Sequence, residues 1–292
     1  MAPQARKQFG QHWLRSESAL QQIVAAANLS GSDRVLEIGP GTGILTRRLL
    51  PLAAAVLAVE IDRDLCKLLV QQLGNVKNFL LLEGDILSLD LENILTPFPK
   101  FQHPNKVVAN IPYNITGPIL ERLLGAIATP NPKPFDSIVL LLQKEVAERL
   151  CAKPSSKAFG ALSVRVQYLA ACEWICHVPA RAFQPPPKVD SAVVRLIPRE
   201  CEAIAHSTRH LDTIVKLGFA TRRKMLRNNL QSLIDRNALT ELLEELHLNP
   251  QVRAEDLSVV NWVALSNALQ QRGLHNETIA VSDNVNLNNP DD

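Results

Sequence analysis

The sequence predicts an α/β fold over residues 1–200, followed by a small all-helical domain. Three observations carry that prediction. Short, almost unbroken apolar runs alternate with amphipathic stretches through residues 30–143. The first of those runs leads into a glycine-rich turn. No strand signal remains after Pro198. Alternation with apolar strands is the pattern of a parallel sheet covered by helices on both faces.

Ser18–Ala27 has the spacing of a helix leading into this domain. Val35–Ile38, Val56–Ile61, Phe79–Leu82, Lys106–Asn110 and Ser137–Leu142 are the buried strands, rich in Val, Ile and Leu. Leu45–Leu52, Arg63–Leu73 and Pro118–Ala128 are helices between most of them. Lys144–Leu150 and Ala161–Ala170 continue as helices, and Trp174–Val178 and Ala192–Ile197 as two further strands. Phe183–Lys188 holds three consecutive prolines, which fix φ and remove N–H donors, so it is expected as a stiff loop outside strand and helix interiors. Leu211–Ala220, Leu239–Leu246 and Val259–Gln270 are expected helices of a second domain, with a possible fourth in the basic stretch Arg222–Leu230. The expected division is residues 1–200, residues 201–275 and a disordered acidic tail over residues 276–292.

The chain has 292 residues, 46% hydrophobic and 21% charged, which excludes a mostly disordered chain. Its longest apolar run, Leu49–Val59, has 11 residues. A membrane helix needs about 20, so no membrane partner is expected. Met1–Arg15 is polar and basic without an apolar secretory core, so a cytoplasmic protein is expected. The five scattered cysteines are read as reduced thiols. Neither they nor the histidines form a ligand set, and no metal is expected.

With 31 basic and 29 acidic side chains, the chain is almost neutral. That total conceals a segregation. Residues 209–240 hold seven basic and two acidic side chains, whereas residues 241–292 hold two basic and nine acidic. Arg222, Arg223, Lys224 and Arg227 are the densest basic cluster, suited either to a solvated helix face or to phosphate contact.

Val35–Gly43 runs from a strand through Gly39, Gly41 and Gly43 towards a helix. Such a loop lets a ligand approach the backbone, and a helix N-terminus favours an anionic group. Alone it favours a nucleotide-type site over a structural turn only slightly. Glu60 ends the next strand and suits two ribose hydroxyls, while Asp85 follows the third and suits an adenine amino group. The glycines run Gly-x-Gly-x-Gly and not Gly-x-Gly-x-x-Gly, which departs from the dinucleotide pattern and favours S-adenosylmethionine.

Asn110-Ile-Pro-Tyr113 follows the fourth strand, at the carboxyl edge where such sheets bind ligands. The Asn110 side-chain oxygen and the carbonyl before Pro112 suit the two N–H groups of an adenine N6, turning its lone pair to a methyl donor. Tyr113 offers a stacking face. In isolation the tetrapeptide fits a simple turn with a buried tyrosine as well. Phe183 fits a second wall of a base pocket or plain core packing.

Together these residues resemble the ribosomal RNA adenine N6,N6-dimethyltransferase family, most of all its small-subunit branch. The likeness runs through Arg6-Lys-Gln-Phe-Gly-Gln-His-Trp-Leu14, Glu37-Ile-Gly-Pro-Gly41, Glu60-Ile-Asp62, Gly84-Asp85 and Asn110-Ile-Pro-Tyr-Asn114. It continues in Leu142–Val146, Lys157–Ser163, Phe183–Ser191 and Arg222–Leu230. The resemblance implies a Rossmann-like class I methyltransferase sheet and S-adenosylmethionine as cofactor. It also implies cofactor contacts from Gln11, His12, Leu14, Gly39, Gly41, Glu60, Asp85 and Asn110. Asn110, Pro112, Tyr113 and Phe183 are the implied catalytic set. The implied substrate is a pair of adjacent adenines in the 3′-terminal hairpin loop of 16S rRNA within the immature small subunit, and a monomer is expected.

His12 and Trp13 depart from the usual Asn and Phe, and Ile111 replaces the commoner Leu. That Ile is also typical of the large-subunit branch, so it does not discriminate. The triple-proline loop and Arg222–Leu230 resemble the small-subunit branch. A binding module that docks on immature subunits is the alternative class, and a nicotinamide-dependent dehydrogenase a weaker one.

Overall fold

The computed structural model describes residue 6 and residues 10–274; the expected acidic tail, 276–292, lies outside them. The chain divides into two compact units between Glu202 and Ala203.

In the first unit the elements run β1 (Trp13–Leu14), α1 (Glu17–Ala27), β2 (Arg34–Ile38), α2 (Thr46–Leu49), β3 (Ala55–Glu60), α3 (Arg63–Leu73) and β4 (Phe79–Glu83). They continue with α4 (Leu91–Ile94), β5 (Lys106–Asn110), α5 (Thr116–Leu124), β6 (Ser137–Gln143), α6 (Lys144–Leu150) and α7 (Ala161–Leu169). β7 (Ala170–Val178), β8 (Phe183–Gln184) and β9 (Ser191–Pro198) complete the unit. Seven strands form one sheet in the order β4-β3-β2-β5-β6-β9-β7. The first five run parallel, and β9 is antiparallel to both β6 and β7. The parallel sheet expected for residues 30–143 is therefore the larger part of a mixed sheet.

Strand alternation sorts the apolar side chains onto two faces. Leu36, Leu57, Val107 and Leu140 point to one core with Ile119, Leu123 and Leu150 from α5 and α6. Val35, Val56, Val108 and Val139 point to the other with Leu20, Ile23 and Leu49 from α1 and α2. β3 is buried at all six positions, as a central parallel strand covered on both sides requires. Ser16 and Asp62 cap α1 and α3 by accepting from the backbone N–H groups of Ala19 and Asp64.

Three boundaries differ from the sequence expectation for local reasons. α2 spans Thr46–Leu49, stopping short of Pro51, which has no N–H to continue it. α5 begins at Thr116, two residues before Pro118, because proline is tolerated in a first helical turn. Phe183–Gln184, expected in a loop, forms a two-residue strand with Trp13–Leu14. The prolines exclude strand pairing only from Pro185 onward, and Phe183 and Gln184 keep their N–H groups.

The second unit contains α8 (Thr208–Gly218), α9 (Leu226–Asn229), α10 (Arg236–Glu245) and α11 (Val259–Gln271). α9 is the expected extra helix in the basic stretch, reduced to four residues. Trp262 is fully buried, and its ring lies where a Cβ on Gly218 would stand, 2.3 Å from Cη2. That close approach lets α8 and α11 pack.

Candidate active site

A cleft partly open to solvent lies at the carboxyl ends of four neighbouring strands: β4, β3, β2 and β5. Each strand delivers one feature to it. β2 ends at Gly39 and Gly41, β3 at Glu60, β4 at Asp85 and β5 at Asn110. Gln11, His12, Pro112 and Tyr113 line the same cleft.

Gly39 and Gly41 have φ of 65° and 59°, the left-handed region that glycine occupies without strain. A Cβ on Gly39 would stand 3.8 Å from the Asn110 carbonyl oxygen, in the cleft itself. The Gly41 N–H donates to Glu60 Oε2 over 3.1 Å, and the Asp62 N–H to Oε1 over 3.0 Å. These bonds aim the Glu60 carboxylate and leave further lone pairs on both oxygens for ligand hydroxyls. Burial pushes the Glu60 pKa up, opposed by those backbone donors. Asp85 accepts the Leu87 N–H on Oδ1 over 2.9 Å. Its Oδ2 has no partner among the described residues.

Asn110 is half-buried, and its Nδ2 donates to the His12 backbone carbonyl over 3.2 Å. That bond fixes the amide so that Oδ1 stays free to accept. The Tyr113 hydroxyl shares a 2.6 Å hydrogen bond with the buried Ser191 hydroxyl on β9. Burial raises the Tyr113 pKa above its ordinary value, and the phenol stays neutral.

The segment carrying Gln11 and His12 is held down by charge. Gln11 Nε2 donates to Asp62 Oδ2 over 2.9 Å, and Arg6 pairs with Asp62 at 3.3 Å and with Asp64. Arg6, Asp62 and Ser191 stand in the sequence only within the stretches that carry the family resemblance, which gave none of them a role; their partners are distant in sequence. Sequence reasoning also missed Glu37, a buried carboxyl on β2 whose Oε2 has no partner among the described residues. Burial pushes Glu37 up to about 8, held back by the Thr46 hydrogen bonds and reinforced by the charge of Glu60.

Two of the predicted cofactor and catalytic residues do not line the cleft. Leu14 and Phe183 face each other across the β1–β8 pair and are buried in the apolar core. The basic cluster belongs to the second unit. Arg222, Arg223 and Lys224 are exposed there, Arg227 is half-buried, and Arg222 is paired with Glu255 at 3.0 Å. No group of three or more metal-binding side chains occurs among the described residues.

A family described as ribosomal RNA adenine dimethylase matches residues 2–271 of this chain. The chain belongs to that family. It is an rRNA adenine dimethyltransferase, and S-adenosylmethionine is the donor implied for a methyltransferase of this kind. Relatives named ribosomal RNA small subunit methyltransferase A share 70% identity in Trichormus variabilis and 68% in Nostoc punctiforme. Both alignments cover 90% of this chain, with 97% and 94% of the relatives. Among solved structures, a dimethyladenosine transferase from Plasmodium falciparum superposes with a TM-score of 0.76 at 29% identity, covering 90% of this chain and 99% of that one. The 23S rRNA methyltransferase ErmE superposes at 0.70 and 27%, covering 89% and 100%. The class I methyltransferase sheet expected from the resemblance is thus the fold of the family.

Proposed function

We propose that this enzyme methylates N6 of two adjacent adenines in the 3′-terminal hairpin loop of 16S rRNA, giving N6,N6-dimethyladenines late in small-subunit assembly. The observation that carries this reading is the fixed Asn110 amide, with Oδ1 free beside Pro112 and Tyr113. Small-subunit names among the relatives at 68–70% identity favour that substrate over large-subunit rRNA. We further propose that it works in the cytoplasm as a monomer and needs no metal.

S-adenosylmethionine supplies an activated sulfonium methyl, so the transfer needs no strong base. The chain's task is positioning. Glu60 would hold the ribose hydroxyls and Asp85 Oδ2 would accept from the adenine amino group of the cofactor, while Gly39 and Gly41 would admit its methionine end. Gln11, His12 and Leu14 belong to the segment expected to fold over it. A target adenine leaves its stack and enters the cleft. Asn110 Oδ1 and the Ile111 carbonyl accept its two N6–H bonds, and Tyr113 supports its face. The lone pair of N6 then points at the methyl carbon. With S-adenosylmethionine bound, the N–C bond would form as its S–C bond breaks and the thioether leaves, and the N6 ammonium would lose its proton to water. Phe183 supports this pocket from the core behind it, and Arg222, Arg223, Lys224 and Arg227 hold RNA phosphates.

The test uses labelled S-adenosylmethionine with unmethylated small subunits, followed by mapping of the modified nucleotides. Label on two neighbouring 3′-terminal adenines is the expected outcome. Label confined to large-subunit rRNA would move the enzyme to the other branch.

A further inference from the structure

His12 lines the cleft beside Tyr113, and its imidazole stacks on the Tyr113 ring. The ring centroids are 6.0 Å apart and the planes 20° from parallel. We infer that His12 is a specificity-determining residue on the target side of the cleft, its imidazole and the Tyr113 ring forming the two walls of the slot that takes the flipped adenine. This rests on the methyl-transfer reading above.

The spacing suits that role. A planar base between two rings makes two contacts of about 3.5 Å each, about 7 Å in all. The rings therefore part by about 1 Å to admit it, a shift of the size that pre-organised sites make on binding. The imidazole is anchored from outside the slot. His12 Nδ1 lies 2.8 Å from the Pro185 carbonyl oxygen, which can only accept, so Nδ1 carries the proton. The triple-proline loop thereby holds the ring upright. The backbone of the same residue receives Asn110 Nδ2. One residue thus orients both the amide that meets the amine and the ring that faces the base.

Phe183, which the sequence offers for the second wall, is 3% exposed and lies in the core instead. Asparagine at position 12 would keep a donor for Pro185 but present no aromatic face. Stacking between two rings favours a purine, whose larger face overlaps both.

The test separates stacking from anchoring. A target hairpin RNA carrying 2-aminopurine at the first target adenine is bound to the full-length protein with saturating S-adenosylhomocysteine, and base fluorescence is read. Stacking quenches 2-aminopurine. Emission from the bound RNA is expected to rise severalfold in His12→Ala and His12→Asn relative to wild type. His12→Phe, which keeps a ring and loses the Pro185 bond, should restore the quenching. The KM for RNA should rise about tenfold in His12→Ala. If Tyr113→Ala raises emission and His12→Ala does not, the inference is wrong and the base reading stands. If neither variant changes emission, no base enters the cleft and both fail. A loss of S-adenosylhomocysteine affinity in His12→Ala with unchanged emission would return His12 to the cofactor side.

Discussion

The carboxyl of Glu37 is buried on β2, the strand that leads into Gly39, and one of its oxygens has no partner among the described residues. Its pKa is about 8 when folded, against an ordinary value of 4.5. Between those values the folded chain holds a proton that the unfolded chain has released. Stability is therefore full below the lower value and falls as pH rises through the window, by up to about 1.4 kcal/mol for each pH unit. Glu37→Gln is isosteric and cannot ionise. Urea denaturation at several pH values between about 5 and 8 should show a steep loss of stability in wild type and a much flatter profile in Glu37→Gln. Equal slopes would mean that Glu37 is ionised in the fold. The Tyr113–Ser191 bond makes a second prediction at this scale. Removing one partner of a buried pair leaves the other unsatisfied, at about 1–3 kcal/mol, whereas removing both is close to neutral. The double variant Tyr113→Phe/Ser191→Ala should therefore be more stable than either single variant, as read from urea midpoints.

Among the elements, those with strong periodicity were legible and those made by distant partners were not. Lys106–Asn110, Arg63–Leu73 and Lys144–Leu150 match the structure residue for residue, because period-two or helical patterning against a core fixes them. β7 begins at Ala170, four residues before its sequence signal. It is an edge strand with exposed positions and an irregularity between Trp174 and Cys176, so its alternation is blurred. The β1–β8 pair was invisible because two-residue strands carry no period. The cleft followed the same division. Gly39, Glu60, Asp85 and Asn110 follow strands and were readable, whereas the prolines after Phe183 pointed to a loop although its ring packs in the core. Burial makes Phe183 a clear test of this ribbon. Phe183→Ala should cost about 3–5 kcal/mol of stability, seen as a lower urea midpoint without ligand, because it opens a cavity against Leu14. A midpoint equal to wild type would place the ring in the cleft.

For the whole molecule, the near-neutral total of 31 basic and 29 acidic side chains is a poor guide to its partner. Binding to RNA depends on how many phosphates are met locally, not on the sum. The residues of the basic cluster are not equivalent. Arg222 is drawn to Glu255 at 3.0 Å, so part of its charge is already answered within the protein. Arg223 and Lys224 are exposed and have no carboxylate partner among the described residues. If the cluster holds RNA phosphates, these two should carry more of the salt dependence than Arg222. Each phosphate contact contributes about 0.7–0.9 to the slope of log affinity against log salt. Arg223→Gln/Lys224→Gln should therefore lower that slope by up to about 1.4–1.8 in titrations of 16S rRNA across a salt series. Affinity for S-adenosylhomocysteine should stay at the wild-type value, since neither residue lines the cleft. Arg222→Gln should change the slope by less than either of the other two alone. An unchanged slope in the double variant, with wild-type folding, would reduce the cluster to a solvated surface and leave the basic side chains of residues 144–200 to meet the RNA.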